Sequence, residues 1–120
     1  MIRIKLQLEP DGCLRRLQSD GHASGETQPN IVCAAATMVM RSVARVLVAQ
    51  SDIVVNGTVP SEGTLTIGVQ SCPGNRREWL SGVTQVLVSG LVDLADEFPQ
   101  QVRLDITSDS LNRQGEKDGT

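Results

Sequence analysis

His22 is the only histidine in this 120-residue chain, and Cys33 is one of three cysteines. Both fall in the run GHASGETQPNIVCAA at residues 21–35. A thiol becomes a strong nucleophile when a neighbouring imidazole takes its proton. The start of a helix favours the resulting anion, because its first N–H groups lack partners and carry the positive end of the dipole. Cysteines there can have pKa values well below the free value of roughly 8.5. With Asn30 read as the N-cap, Cys33 is the third helical residue, and the same N–H groups could hold the oxyanion of acyl transfer. By spacing alone the pair is a weak signal. Free cysteines are frequently small buried hydrophobes, and on that evidence the structural role is favoured.

The flanking pattern supplies elements to position the pair. Ile2, Ile4, Leu6 and Leu8 alternate with Arg3, Lys5 and Gln7, which predicts a half-buried strand. Pro10-Asp11-Gly12 predicts a turn, and residues 13–18 a returning strand. Leu14 and Leu17 are three apart, which implies a bulge. Ser19, Asp20 and Gly21 end the hairpin, leaving His22 at the strand exit. Residues 23–30 are loop formers, and a loop of about seven residues can bring a strand exit over a helix start. Val32, Ala36, Val39, Met40, Val43, Val46 and Leu47 then recur at helical spacing, with Arg41 and Arg45 on a solvated face. Ala34, Ala35 and Ala36 keep that helix slim enough to approach a sheet.

Residues 52–59 and 63–70 predict a second strand pair, with Ile53, Val55 and Val59 on one face and a turn at residues 60–63. Asn75 and Glu78 resemble a capping box before a second helix. Trp79, Val83, Val86, Leu87, Gly90, Leu91, Leu94 and Phe98 form its stripe, and Pro99 stops it. Val88 and Val92 lie off the stripe, on a wider buried face or a subunit contact. Val102, Leu104 and Ile106 form a last strand. The polar tail, residues 108–120, is expected to be disordered. The order ββαββαβ gives an α+β single domain over residues 1–107, with two helices packed on a mostly antiparallel sheet.

Composition narrows function. The net charge is −3, and Trp79 and Phe98 are the only aromatic residues. A nucleic-acid partner is not expected, since neither a basic surface nor a stacking platform is present. No stretch is expected to reach the length of a membrane span, and the N-terminus lacks a signal-peptide core, so a cytoplasmic protein with no membrane partner is expected. Cys13, Cys33 and Cys72 are odd in number and show no CxxC spacing, which argues against a disulfide framework, a metal site or a redox sensor and implies no cofactor. Ser24, Thr37 and Ser42 lie outside any G-x-S-x-G elbow.

DGHA at residues 20–23 and NIVCAA at residues 30–35 resemble the ribosomal-processing cysteine protease family, Prp. Its members carry a GHA segment, a short glycine-containing loop and DIVCAA or a close variant, and the likeness covers residues 1–107. The resemblance implies a homodimeric bacterial endopeptidase that removes the N-terminal extension of large-subunit ribosomal protein twenty-seven. The resemblance further implies that this extension is hydrophobic and contains aromatic residues. The family's histidine maps onto His22 and its nucleophile onto Cys33. The loop closing over the N-terminal peptide maps onto Ala23, Ser24, Gly25, Glu26, Thr27, Gln28 and Pro29.

Two departures stand out: Asn30 replaces the family's usual Asp, and the loop is short and carries Pro29. Asn caps a helix about as well as Asp and could also orient the histidine, but it removes a negative charge. A non-catalytic ribosome-associated binding module of the same fold is the alternative that Asn30 favours.

Overall fold

Ile2, Ile4 and Leu6 are buried while Arg3 and Lys5 are exposed, so the alternating pattern of the first strand sorts its side chains between a core and a solvent face. The computed structural model describes residues 1–23, 29–58 and 64–108. Its elements are β1 (Ile2–Leu8), β2 (Leu14–Asp20), α1 (Pro29–Val48), β3 (Val54–Thr58), β4 (Thr64–Ser71), a 3-10 turn (Gly74–Arg76), α2 (Arg77–Glu97) and β5 (Val102–Ser108). The expected ββαββαβ order and α+β class are observed. The expected tail lies outside the described residues beyond Ser108, as does the expected turn at residues 60–63.

The five strands form one sheet in the order β3-β4-β2-β1-β5. Three pairings are antiparallel, and β5 joins β1 in parallel. Between β1 and β2 the register moves from Gln7 opposite Arg16 to Leu8 opposite Leu14. Two residues of β2 therefore stand where one would fit. This is the expected bulge, and it lets Leu14 and Leu17 both point into the core.

One cluster joins that side of the sheet to both helices. α1 contributes Val32, Ala36, Met40, Val43 and Leu47, and α2 contributes Leu80, Thr84, Leu87 and Leu91. The helices meet where Gly90 faces Val39, and a Cβ at Gly90 would lie in ordinary contact, 3.4 Å from a Val39 methyl. The other side of the sheet presents Arg3, Lys5, Arg16 and Gln18 to solvent.

Four expectations need correction. α1 begins at Pro29, so Asn30 lies inside the helix rather than capping it. Proline suits a first helical position because its fixed φ is already helical and its missing N–H would have no partner there. The capping box at Asn75 and Glu78 does not form: Asn75 is inside the 3-10 turn, and the cap residue of α2 is Arg76, with no side-chain capping bond. The buried face of α2 centres on Leu80 and Thr84 instead of Val86, which is 69% exposed; Val88 packs on the core. Residues 30–48 are long and apolar enough to cross a membrane by length and composition. In this fold Val32, Ala36, Met40, Val43 and Leu47 of that stretch are buried in the core.

Polar ties replace the missing cap of α2. Arg77 grips Asp11 in the β1–β2 turn through Nε and, at 3.0 Å, through a terminal nitrogen. That guanidinium holds the Asp11 carboxyl well below the usual carboxylate range. Arg76 donates to Gln50 at 2.6 Å and sits 4.5 Å from the centre of the Trp79 ring, tying the end of α1 to the start of α2.

Thr84 carries a heavier load. Its buried hydroxyl accepts from the Leu14 N–H at 2.9 Å and donates to the Leu80 carbonyl at 2.8 Å. Thr84→Val keeps the shape and strands the Leu14 N–H. We expect it to cost about 1–3 kcal/mol of stability, measured by urea unfolding, whereas Val86→Thr on the exposed face should change stability by less than about 0.5 kcal/mol.

Candidate active site

The site begins where β2 ends. Gly21 adopts φ +96°, and a Cβ there would overlap the Met1 carbonyl oxygen. Only glycine meets both conditions without strain. Met1 N donates to the His22 carbonyl at 2.7 Å, which fixes the main chain at His22 beside the start of β1. The next residue turns towards α1. The Ala23 N–H donates to Cys33 Sγ at 3.2 Å. Eleven residues of sequence separate His22 from Cys33, yet this bond brings the strand exit onto the first turns of the helix.

With α1 starting at Pro29, Cys33 is the fifth helical residue rather than the third. Its sulfur still serves the helix start, because Cα–Cβ bonds tilt towards the N-terminus and carry side chains back over the preceding turn. Cys33 is half-buried against the core, while His22 is exposed. Both line a cleft of about 780 Å³, bounded by Ile2 and Ser19 of the hairpin, Leu65 of β4 and the flank of α1. Met40 also lines it, and Arg41 and Arg45 border it.

Of the loop read as closing over a peptide, Ala23 is half-buried and supplies the bond to sulfur, and Pro29 opens the helix. Ser24, Gly25, Glu26, Thr27 and Gln28 lie outside the described residues. Asn30 is exposed, and among the described residues no hydrogen bond joins it to His22. Sequence reasoning missed the Ala23 N–H because a backbone donor has no side-chain signature. It read Arg41 and Arg45 as merely solvated. The signal was present: Cys33, Thr37, Arg41 and Arg45 are four apart, which places them along one flank of a helix.

The other two cysteines have structural surroundings. Cys13 is buried, its Sγ lies 3.1 Å from the Arg77 carbonyl oxygen, and burial pushes its thiol up to about 11. Cys72 lies 3.6 Å from the Pro73 carbonyl oxygen. All three are free thiols, and no group of three or more potential metal-ligating side chains occurs among the described residues.

A family model described as cysteine protease Prp matches residues 1–103. The chain belongs to the cysteine protease Prp family. It is therefore a cysteine protease. Solved structures agree in fold. The ribosomal processing protease Prp from S. aureus, in complex with a substrate peptide, has a TM-score of 0.72 at 19% identity, covering 88% of this chain and 99% of that one. The same S. aureus protease with a covalently linked product peptide also has a TM-score of 0.72, at 20% identity over 88% and 99% of the two chains. SMU.848 from Streptococcus mutans has a TM-score of 0.72 at 22% identity, covering 90% of this chain and 95% of that one. Among curated proteins none matches this chain.

Two outcomes follow for this protease. Iodoacetamide at pH 7.5 should modify Cys33 while Cys13 stays unlabelled until the protein is unfolded, as read by peptide mass spectrometry. Gly21→Ala should cost about 1–3 kcal/mol from its backbone conformation alone, with the overlap on Met1 adding to it, and should cut proteolysis more than it cuts the fraction folded at 20 °C.

Proposed function

We propose that this protease removes the N-terminal extension of large-subunit ribosomal protein twenty-seven through a dyad of Cys33 and His22. The observation that carries the reading is the juxtaposition of the two residues on one cleft, with a backbone N–H aimed at the sulfur. That donor suits a sulfur that must bear negative charge.

In the proposed reaction the His22 imidazole takes the Cys33 proton, and the sulfur attacks the scissile carbonyl carbon. The carbonyl oxygen becomes an oxyanion, for which backbone N–H groups at the helix start are the available donors. As the intermediate collapses, the C–N bond breaks and His22 returns the proton to the leaving amine. Water activated by His22 then attacks the thioester carbon, and Cys33 departs as thiolate. The covalently linked product seen in the S. aureus protease supports an acyl step of this kind. Exposure of the His22 ring suits a group that must swing between sulfur, amine and water.

The same proposal includes a homodimer in the cytoplasm. Ile31, Met38 and Val86 leave apolar side chains exposed on α1 and α2, which supports a contact between copies, and three free thiols suit a reducing compartment.

Cys33→Ala and His22→Ala should each lower cleavage of a matched N-terminal peptide at least 1000-fold, with circular dichroism and unfolding midpoint retained. Cleavage surviving in either variant rejects the dyad. If Cys33 in the wild type alkylates no faster near neutrality than a free thiol, and no extension peptide is cut, the binding-module alternative replaces the protease reading of this site.

A further inference from the structure

We infer that the cleft is a recognition site for an extended, apolar substrate segment bearing a carboxylate side chain, read by Arg41 and Arg45. The inference rests on the proposed role of Cys33 as nucleophile.

Three observations carry it. Arg41 and Arg45 both border the cleft that holds Cys33, and its described lining contains no Asp or Glu. Both arginines are exposed, and among the described residues neither forms an ion pair. A second groove of about 470 Å³ shares Arg45 with the cleft and is lined mainly by Ala44, Val48, Val55 and Ile67, with Asn56 beside them. The wall is thus cationic and the floor apolar. An extended peptide sends alternate side chains to opposite sides, so apolar residues can face the sheet while intervening ones face the arginines. A guanidinium fork takes a carboxylate through two parallel hydrogen bonds, which makes an acidic side chain the matching group.

Helix geometry sets the register. Arg41 and Arg45 lie eight and twelve residues beyond Cys33, about 12 and 18 Å along the axis at about 1.5 Å per residue. An extended peptide advances about 3.3 Å per residue, so the carboxylate belongs about four to six residues from the bond being cut.

Glu26 and Glu62 fall outside the described residues. The test therefore includes them.

The experiment uses the full chain carrying Cys33→Ala and fluorescein-labelled apolar peptides, read by anisotropy. Each peptide carries one Glu, Gln or Lys, placed two to eight residues before or after the scissile bond. Glu at four to six residues on one side should bind about fivefold more tightly than Gln there. The preference should fade towards 0.5 M salt and vanish in Arg41→Gln/Arg45→Gln. Arg45→Glu should shift it to the Lys peptide, a gain that a damaged fold cannot produce. Equal binding of Glu and Gln peptides at every position overturns the inference. So does a preference that survives in the double variant, or one that emerges only with Glu26→Gln or Glu62→Gln. Parallel cleavage assays with wild-type protein separate the two claims. Cleavage without charge preference removes only the arginine wall, and charge-selective binding without cleavage removes only the protease reading.

Discussion

The Ala23 N–H bond to Cys33 Sγ joins the exit of the first hairpin to the first turns of α1, and much of the structure serves to make it possible. A bond of 3.2 Å demands that the helix start lie low over the end of the sheet. Val32 and Ala36, on either side of Cys33 in sequence, are both buried and press that stretch of helix onto the sheet. The strand must also turn sharply after Asp20, which Gly21 permits through its left-handed backbone, with Met1 packed where a Cβ would be. The Cys33 thiol is thus set by backbone geometry on one side and aliphatic packing on the other.

The remaining polar chemistry secures the layers. Thr84 satisfies the Leu14 N–H just after the β1–β2 turn, and Arg77 clamps Asp11 within that turn. Cys13 sits between them, buried, with its sulfur on a helix carbonyl. The protein therefore uses cysteines in two ways. Burial that raises Cys13 keeps it neutral and inert, while Cys33 stays partly open to the cleft.

Much of this was legible in residue order. Alternation at Ile2, Ile4 and Leu6 marked β1 and its buried face. The three-residue step from Leu14 to Leu17 marked a bulge, which is the register shift observed. GHA and IVCAA singled out the two residues that now share a cleft. Errors came where one side chain could serve two local roles. Asn30 is a good cap in isolation, but Pro29 is better placed to start a helix, and the helix starts two residues earlier for it. Val86 fits a helical apolar stripe as well as Leu80 does, and a threonine reads as polar surface until a buried N–H needs it.

The sequence by itself determined the local periods, the breaks between elements and the motif that carries the proposed nucleophile, because these depend on neighbours within a few residues. Tertiary structure alone decided the strand order β3-β4-β2-β1-β5, since every strand with a period of two looks alike until it finds partners. It decided which flank of α1 faces the cleft, because that follows from where α2 and β4 come to rest. And it decided that a backbone N–H of Ala23 meets the sulfur of Cys33, a contact between groups whose distance no pattern along the chain encodes.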